Sequence, residues 1–249
     1  MRGALYDRIG VGYSEYRRPD ERIAKRIDGA LGQCRSVLNV GAGAGSYEPN
    51  MRFVVAVEPS AKMIGQRARN AAQCVQASAD RLPFRDRSFD AVLAILTIHH
   101  WKNRDRGLAE MRRVARDRVV IFTWDPEHPG FWLVQDYLPE ILKIDRLSFP
   151  SLRDIAATIG PAEVETLCVP ADCSDGFLGA YWRRPEAYLD ARVRAAISIF
   201  AKVDSAGEIA HLRRDLQDGT WSGRYSALLP LPELDVGYRL VVARIQASA

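Results

Sequence analysis

The stretch SVLNVGAGAGSYEP, residues 36–49, constrains this chain more than any other. An apolar run, Val37, Leu38 and Val40, leads into Gly41, Gly43 and Gly45, with one alanine between successive glycines. This pattern reads as a buried strand breaking into a tight loop almost bare of side chains. Such a loop lets a ligand approach the main chain where a Cβ would collide with it. In open α/β sheets, ligands sit at the carboxyl ends of the strands, where a loop of this kind would stand.

The rest of the first half supplies that sheet. FVVAVE, residues 53–58, reads as a second strand ending in an acid. Residues 60–69 read as a helix with Ser60 as its N-cap. CVQAS is a short third strand. FDAVLAIL, residues 89–96, is wholly apolar from Ala91 to Leu96, as a central parallel strand should be. RDRGLAEMRRVA is amphipathic, with Leu108, Met111 and Val114 on one helical face, and RVVIFTW is a fifth strand. Strands alternating with helices predict a doubly wound α/β sheet.

Before residue 36 the pattern predicts helix over residues 4–31, broken near GVGY and restarting after Pro19. After Trp124 the strand–helix rhythm is lost. EVETLCVPA reads as a sixth strand, residues 185–201 and 207–217 as helices, and LDVGYRLVVARI as a closing strand. The sixth and closing strands are both edge candidates. Four segments follow: an N-terminal helical cap over 1–35, a ligand-binding core over 36–125, a sheet completion with a helical lid over 126–235, and a closing strand over 236–249.

Composition narrows the class. The chain has 249 residues, 47% of them hydrophobic, enough for one large domain with a sizeable core. The longest apolar runs are far short of a membrane span, and the N-terminus lacks a signal-peptide apolar region, so a cytoplasmic protein without membrane contact is expected. Cys34, Cys74, Cys168 and Cys173 have no metal or redox spacing, and no metal site is expected. The net charge of +4 is mild, and the arginines are scattered through helices rather than gathered with interleaved aromatics. No nucleic-acid partner is expected on that account.

The glycine loop by itself leaves the ligand open. A dinucleotide fingerprint wants G-x-G-x-x-G or A, whereas here the third glycine comes one residue early and Ser46 stands at the last place. No Gly-Lys-Ser/Thr follows, which excludes a P-loop. Glu58 lies 17 residues after Gly41, at a strand end where a carboxylate can accept hydrogen bonds from ribose hydroxyls. Then comes ASADRLPFRDRSFDAV, a long and particular pattern.

Together, VLNVGAGAGSYE, VVAVEPSAKM and ASADRLPFRDRSFDAV resemble, in order and spacing, the class I S-adenosylmethionine-dependent methyltransferases. The likeness covers roughly residues 13–125 and is greatest to the small-molecule branch that includes ubiquinone/menaquinone and trans-aconitate methyltransferases. It implies a Rossmann-like, doubly wound, seven-stranded, mostly parallel sheet with an antiparallel edge hairpin strand and a helical lid. It implies S-adenosylmethionine as cofactor and a small-molecule methyl acceptor as partner, in a monomer or homodimer. The loop of Gly41, Ala42 and Gly43 would pass under the methionine part of the cofactor, and Glu58 would hold the ribose. Pro59 and Met63 would pack on the adenine, Ser78 and Ala79 would present backbone to its edge, and the main chain at Ala94 and Ile95 would face the amino group. YSEYRRPD resembles the family's N-terminal clamp, which puts Tyr13 and Arg17 at the cofactor carboxylate. The chain departs from the family in three places. Asn39 stands where an acid is common, Ser78 stands where an Asp is usual near the adenine, and only 13 residues separate Gly45 from Glu58, too few for a normal helix.

Methyl transfer from a sulfonium is a direct displacement, so orientation and exclusion of water supply much of the catalysis. A base is needed only where the acceptor proton must leave early. His99 and His100 follow the fourth strand; being adjacent, they are expected to point apart and to form no metal pair. Two readings of them stay open, a general base near neutral pH or packing residues of the HHW turn, with proximity alone as the favoured catalytic device. His128 is a weaker candidate base. Trp132, Tyr137 and Trp182, among the lid aromatics, are expected to line the acceptor pocket. Nucleic-acid methyltransferases of this fold carry an Asn/Asp-Pro-Pro-aromatic or Pro-Cys motif after the fourth strand, and this chain reads LTIHHW there. Protein methylation and non-catalytic binding of S-adenosylmethionine are also compatible with these motifs.

Overall fold

The computed structural model describes residues 16–245. Seven strands form one sheet: β1 (Ser36–Val40), β2 (Phe53–Val57), β3 (Gln73–Val75), β4 (Phe89–Ile95), β5 (Ala115–Trp124), β6 (Ala162–Thr166) and β9 (Tyr238–Arg244). A two-stranded ladder of β7 (Val169–Pro170) and β8 (Glu233–Leu234) stands beside it. The sheet order is β3-β2-β1-β4-β5-β9-β6, so the order of strands reverses between β1 and β4. β1 to β5 pair in parallel, and β9 runs antiparallel to both β5 and β6.

The antiparallel strand corrects one expectation. It lies one place in from the edge, and β6 is the edge strand. The reason is burial: Tyr238, Leu240, Val241 and Ala243 are all buried, whereas the β6 sequence AEVET exposes most of its side chains. A strand with Glu163 and Glu165 pointing to water tolerates an unpaired edge. An apolar strand does not.

Alternate residues of the central strands feed two cores, as the period of two requires. Val37, Ala91, Leu93, Val120 and Phe122 face one side. There they pack with α1 (Glu21–Leu31), whose Ile23, Ile27 and Leu31 form a buried stripe, and with much of the segment after Trp124. Leu38, Val40, Val92, Ala94, Val119 and Ile121 face the other side. They pack on α3 (Arg104–Val114) and α5 (Leu152–Ile159). Between β1 and β2 the chain makes only turns, so the helix expected to be short is absent altogether. α2 (Ala61–Gly65) is capped by Ser60, whose hydroxyl accepts from the Met63 N–H at 3.2 Å.

The segment after β5 is built of short pieces. They include a π turn Leu133–Tyr137, α4 (Pro139–Ser148), α6 (Ala191–Ala195), α7 (Ala206–Gln217) and α8 (Thr220–Arg224). The continuous helix expected over 185–201 is instead a 3₁₀ turn Pro185–Leu189, α6 and a second 3₁₀ turn Ser198–Lys202. Asp190 divides them by accepting from the Arg192 N–H at 2.8 Å, which starts a new helix rather than continuing the old one.

Candidate active site

The carboxyl ends of β1, β2 and β4 converge on the glycine loop. Gly41, Gly43 and Gly45 have φ of 70°, 53° and 96°, a left-handed conformation that only glycine adopts at little cost. The N–H groups of Gly41 and Ala42 both donate to the Val57 carbonyl, at 2.8 and 3.0 Å. This ties the start of the loop to the end of β2. Glu58 completes the tie: its Oε2 accepts from the Gly43 N–H and its Oε1 from the Ser60 N–H, each at 2.9 Å. Glu58 therefore shapes the loop from the wall of the cavity that it lines.

A second network, with little trace in the sequence, holds the far side of the loop. Glu48 and Arg67 form a buried ion pair, their side chains 9% and 5% exposed. Arg67 donates to both Glu48 oxygens at 2.7 and 2.8 Å, to the Gly43 carbonyl at 3.2 Å and to the Ala72 carbonyl at 3.0 Å. Asn39 Nδ2 donates to Glu48 Oε1 at 3.2 Å. The acid common before the first glycine is thus supplied from Glu48, at the end of the helix-free crossover. Asn39 Oδ1 is buried with no hydrogen-bond partner among the described residues. The SYEP segment is the only signal in the sequence for Glu48, and Arg67 has none.

A cavity of about 550 Å³ opens over the loop, within the range of small-molecule sites. Arg17, Asn39, Gly41, Ala42 and Gly43 line it, as do Glu58, Pro59, Met63, Ser78, Ala79 and Ile95. Ala94 does not: it is wholly buried in the core, and Leu96 and Thr97 reach the cavity instead. Tyr13 lies outside the described residues. The carboxylate missing at Ser78 is present two residues on, because Asp80 lines the same cavity and accepts from the Ser78 hydroxyl.

A smaller cavity of about 80 Å³ adjoins the first, and Arg17, Leu96, His99 and His100 line both. The histidines occupy the 3₁₀ turn Ile98–His100. Contrary to expectation they do not point apart. Their ring centroids are 3.8 Å apart, and His99 stacks on Phe149 at 4.0 Å. Burial, followed by the neighbouring His100 and the cations Lys202, Arg104 and Arg17, pushes His99 well below the usual imidazole range. Burial, then Lys202 and Arg17, lowers His100 to about 4. Both imidazoles are therefore neutral at pH 7, and His99 Nδ1 is buried without a hydrogen-bond partner among the described residues. His128 serves a turn instead, its Nδ1 accepting from the Gly130 N–H at 3.0 Å. Among the described residues, no three His, Cys, Asp or Glu side chains gather as a metal ion would need.

Trp132, Tyr137 and Trp182 line neither of these cavities. Trp132 Nε1 donates to the Trp182 carbonyl at 2.6 Å, Trp182 Nε1 to the Val169 carbonyl at 2.8 Å, and the Tyr137 hydroxyl to Asp215 at 2.6 Å. Large aromatics whose polar atoms are satisfied inside the fold are core residues. The small cavity is walled instead by Trp124, Phe131, Phe149, Phe177 and Tyr238. Among the described residues, no helix is long and apolar enough to cross a membrane.

Residues 38–123 match the profile of a methyltransferase domain. A solved structure from Anabaena variabilis, described as a "putative methyltransferase from antibiotic biosynthesis pathway", is 34% identical. The match covers 92% of this chain and 98% of that one, with a TM-score of 0.84. The demethylmenaquinone methyltransferase of Renibacterium salmoninarum is 36% identical over 101 residues, 38% of this chain and 43% of that protein. The tRNA (carboxymethyluridine(34)-5-O)-methyltransferase of Schizosaccharomyces pombe is 25% identical over 128 residues, 48% of this chain and 55% of that protein. The chain thus spans about half the length of these curated relatives.

Proposed function

Because the chain belongs to the class I S-adenosylmethionine-dependent methyltransferases, with 34% identity to a relative over 92% of its length, we propose that it methylates a small, largely apolar acceptor. The observation that carries this reading is the pair of adjoining cavities, one glycine-floored and the other aromatic-walled, joined at Arg17, Leu96, His99 and His100. Residues 36–125 would hold the cofactor and the segment over 126–235 would supply much of the acceptor wall.

Features of the larger cavity support the cofactor assignment. A methyl group on Gly43 would meet nothing nearer than Met63 Cε at 3.4 Å, so its omission leaves room beside the backbone. Asn39 Oδ1 is a buried acceptor without a donor among the described residues. Glu58 would take the ribose hydroxyls, Pro59 and Met63 the adenine faces, Ser78, Ala79 and Asp80 its edge, and Arg17 the carboxylate. A thioether suits a ring face because it is polarisable. When bound, S-adenosylmethionine supplies a methyl group on a positively charged sulfur. The protein's part is to orient the acceptor and to exclude water with the aromatic wall. His99 and His100, both neutral, would position the acceptor at the junction. They are poor bases, because an imidazolium there would be buried away from water and would also face Lys202 and Arg17.

Calorimetry with S-adenosylhomocysteine tests the cofactor, with NAD as control. Transfer of a labelled methyl group from S-adenosylmethionine to small apolar molecules, run against bulk tRNA, tests the acceptor. Binding of NAD alone removes the cofactor assignment, and labelling of tRNA alone removes the acceptor assignment. Glu58→Ala is expected to weaken S-adenosylhomocysteine binding by about 1.5–3 kcal/mol, the worth of hydrogen bonds to a charged group. An unchanged affinity would take Glu58 out of the ribose role.

A further inference from the structure

Among the described residues, the smaller cavity holds one acid, which no motif in the sequence singles out. Asp145, on α4, lines it among the aromatic walls. No hydrogen bond or ion pair satisfies its carboxylate among the described residues, although its backbone carbonyl accepts from Phe149. An acid that faces an aromatic-walled cavity without a protein partner is a candidate for function rather than stability. Burial pushes Asp145 up to about 7, with Lys202 pulling the other way. Among the described residues, the other titratable or charged groups around the cavity are Tyr238 of β9, His99, His100 and Arg17. Tyr238 is held in its neutral phenol form by burial and by Asp145, the imidazoles are neutral, and Arg17 is bound to Asp175 at 2.7 Å.

We propose that Asp145 accepts the proton of the methyl acceptor, and that this acceptor is a small apolar molecule whose reacting atom is a hydroxyl oxygen or an amine nitrogen, with no anionic group at that end. The proposal rests on the methyltransferase reading above. The acceptor's O–H or N–H proton passes to the Asp145 carboxylate, leaving a carboxylic acid. The freed electron pair of the acceptor forms the bond to the methyl carbon. The carbon–sulfur pair stays on sulfur and discharges the sulfonium of S-adenosylmethionine. The volume of about 80 Å³ equals only two to three water molecules, so it receives the reacting end of a molecule. A carboxylate or phosphate at that end would face Asp145 as a like charge.

Phenol, aniline and benzoate are suitable single-ring probes, offered to the protein saturated with S-adenosylhomocysteine. Phenol or aniline is expected to bind at least about tenfold more tightly than benzoate above pH 7, because like charges juxtaposed in an interface are disfavoured. Asp145→Asn should close that gap while leaving S-adenosylhomocysteine affinity unchanged. In labelled-methyl transfer to whichever probe is accepted, Asp145→Asn should lower kcat by about 10²-fold or more and abolish the acid limb of the pH profile. Unfolding supplies a readout independent of any acceptor. A carboxyl raised from 3.8 to about 7 binds more protons in the folded state, so wild type should lose stability relative to Asp145→Asn as pH rises through that window. The inference is overturned if benzoate binds as tightly as phenol and aniline, if neither phenol nor aniline binds, or if the variant keeps the acid limb. Failure of S-adenosylhomocysteine itself to bind would instead sink the methyltransferase reading.

Discussion

Gly41→Ala is expected to cost about 2–6 kcal/mol, combining a left-handed backbone forced on a non-glycine residue with overpacking of a filled site. The added Cβ would lie 2.2 Å from Thr97 Oγ1, 2.9 Å from its Cγ2 and 3.0 Å from its Cβ. No rotation of Thr97 clears all three atoms, because the obstruction includes the root of the side chain. Thr97 is buried on the turn that follows β4, so it has little room to retreat. If the loop moved instead, it would break the bonds from Gly41 and Ala42 to the Val57 carbonyl. Urea unfolding and S-adenosylhomocysteine calorimetry should both register the change. Gly43→Ala is the control: its φ of 53° is strained, but the nearest atom is a flexible methionine methyl at 3.4 Å. It should cost only about 1–3 kcal/mol of stability. A Gly41 variant no less stable than the Gly43 variant would show that Thr97 does not fill this position.

Arg67→Ala is expected to destabilise the protein by about 3–5 kcal/mol, the cost of leaving one member of a buried ion pair without its partner. The attraction itself matters less than what is abandoned. Glu48 would keep a 9% exposed carboxylate whose remaining donors are Asn39 Nδ2 and the Ala72 N–H. The Gly43 and Ala72 carbonyls would lose a donor as well. Replacing both charges together, Arg67→Met with Glu48→Leu, should recover much of the loss, since apolar groups of similar volume satisfy a buried site without a desolvation cost. Recovery should be incomplete because Asn39 Nδ2 then lacks an acceptor. Chemical denaturation of Arg67→Met, Glu48→Leu and the double variant, read as a double-mutant cycle, measures the coupling. Additive effects of the two single substitutions would mean that the pair is not coupled in the folded protein.

What was legible in the order of residues is what carries a local signal. Apolar runs bounded by polar turns marked the strands, and Ser60 marked a helix start through its own hydroxyl. Alternating glycines marked the loop, because left-handed backbone selects glycine residue by residue. The order of those segments placed Glu58 beside the loop it now holds. Features that depend on what lies across space became visible only in the folded chain. β9 is interior rather than an edge, because its place depends on β6 accepting exposure on the far side. Trp132, Tyr137 and Trp182 face the core, and Phe131 faces the small cavity, although all four look alike as lid aromatics in sequence. Glu48 finds Arg67 across 19 residues, and no periodicity links a helix-free crossover to the residues after α2. Asp145 reads as one more surface acid of an amphipathic helix. Its proton affinity is set by the walls of a cavity contributed by β5, β9 and the turns between, and a field made by enclosure has no trace in the order of the residues.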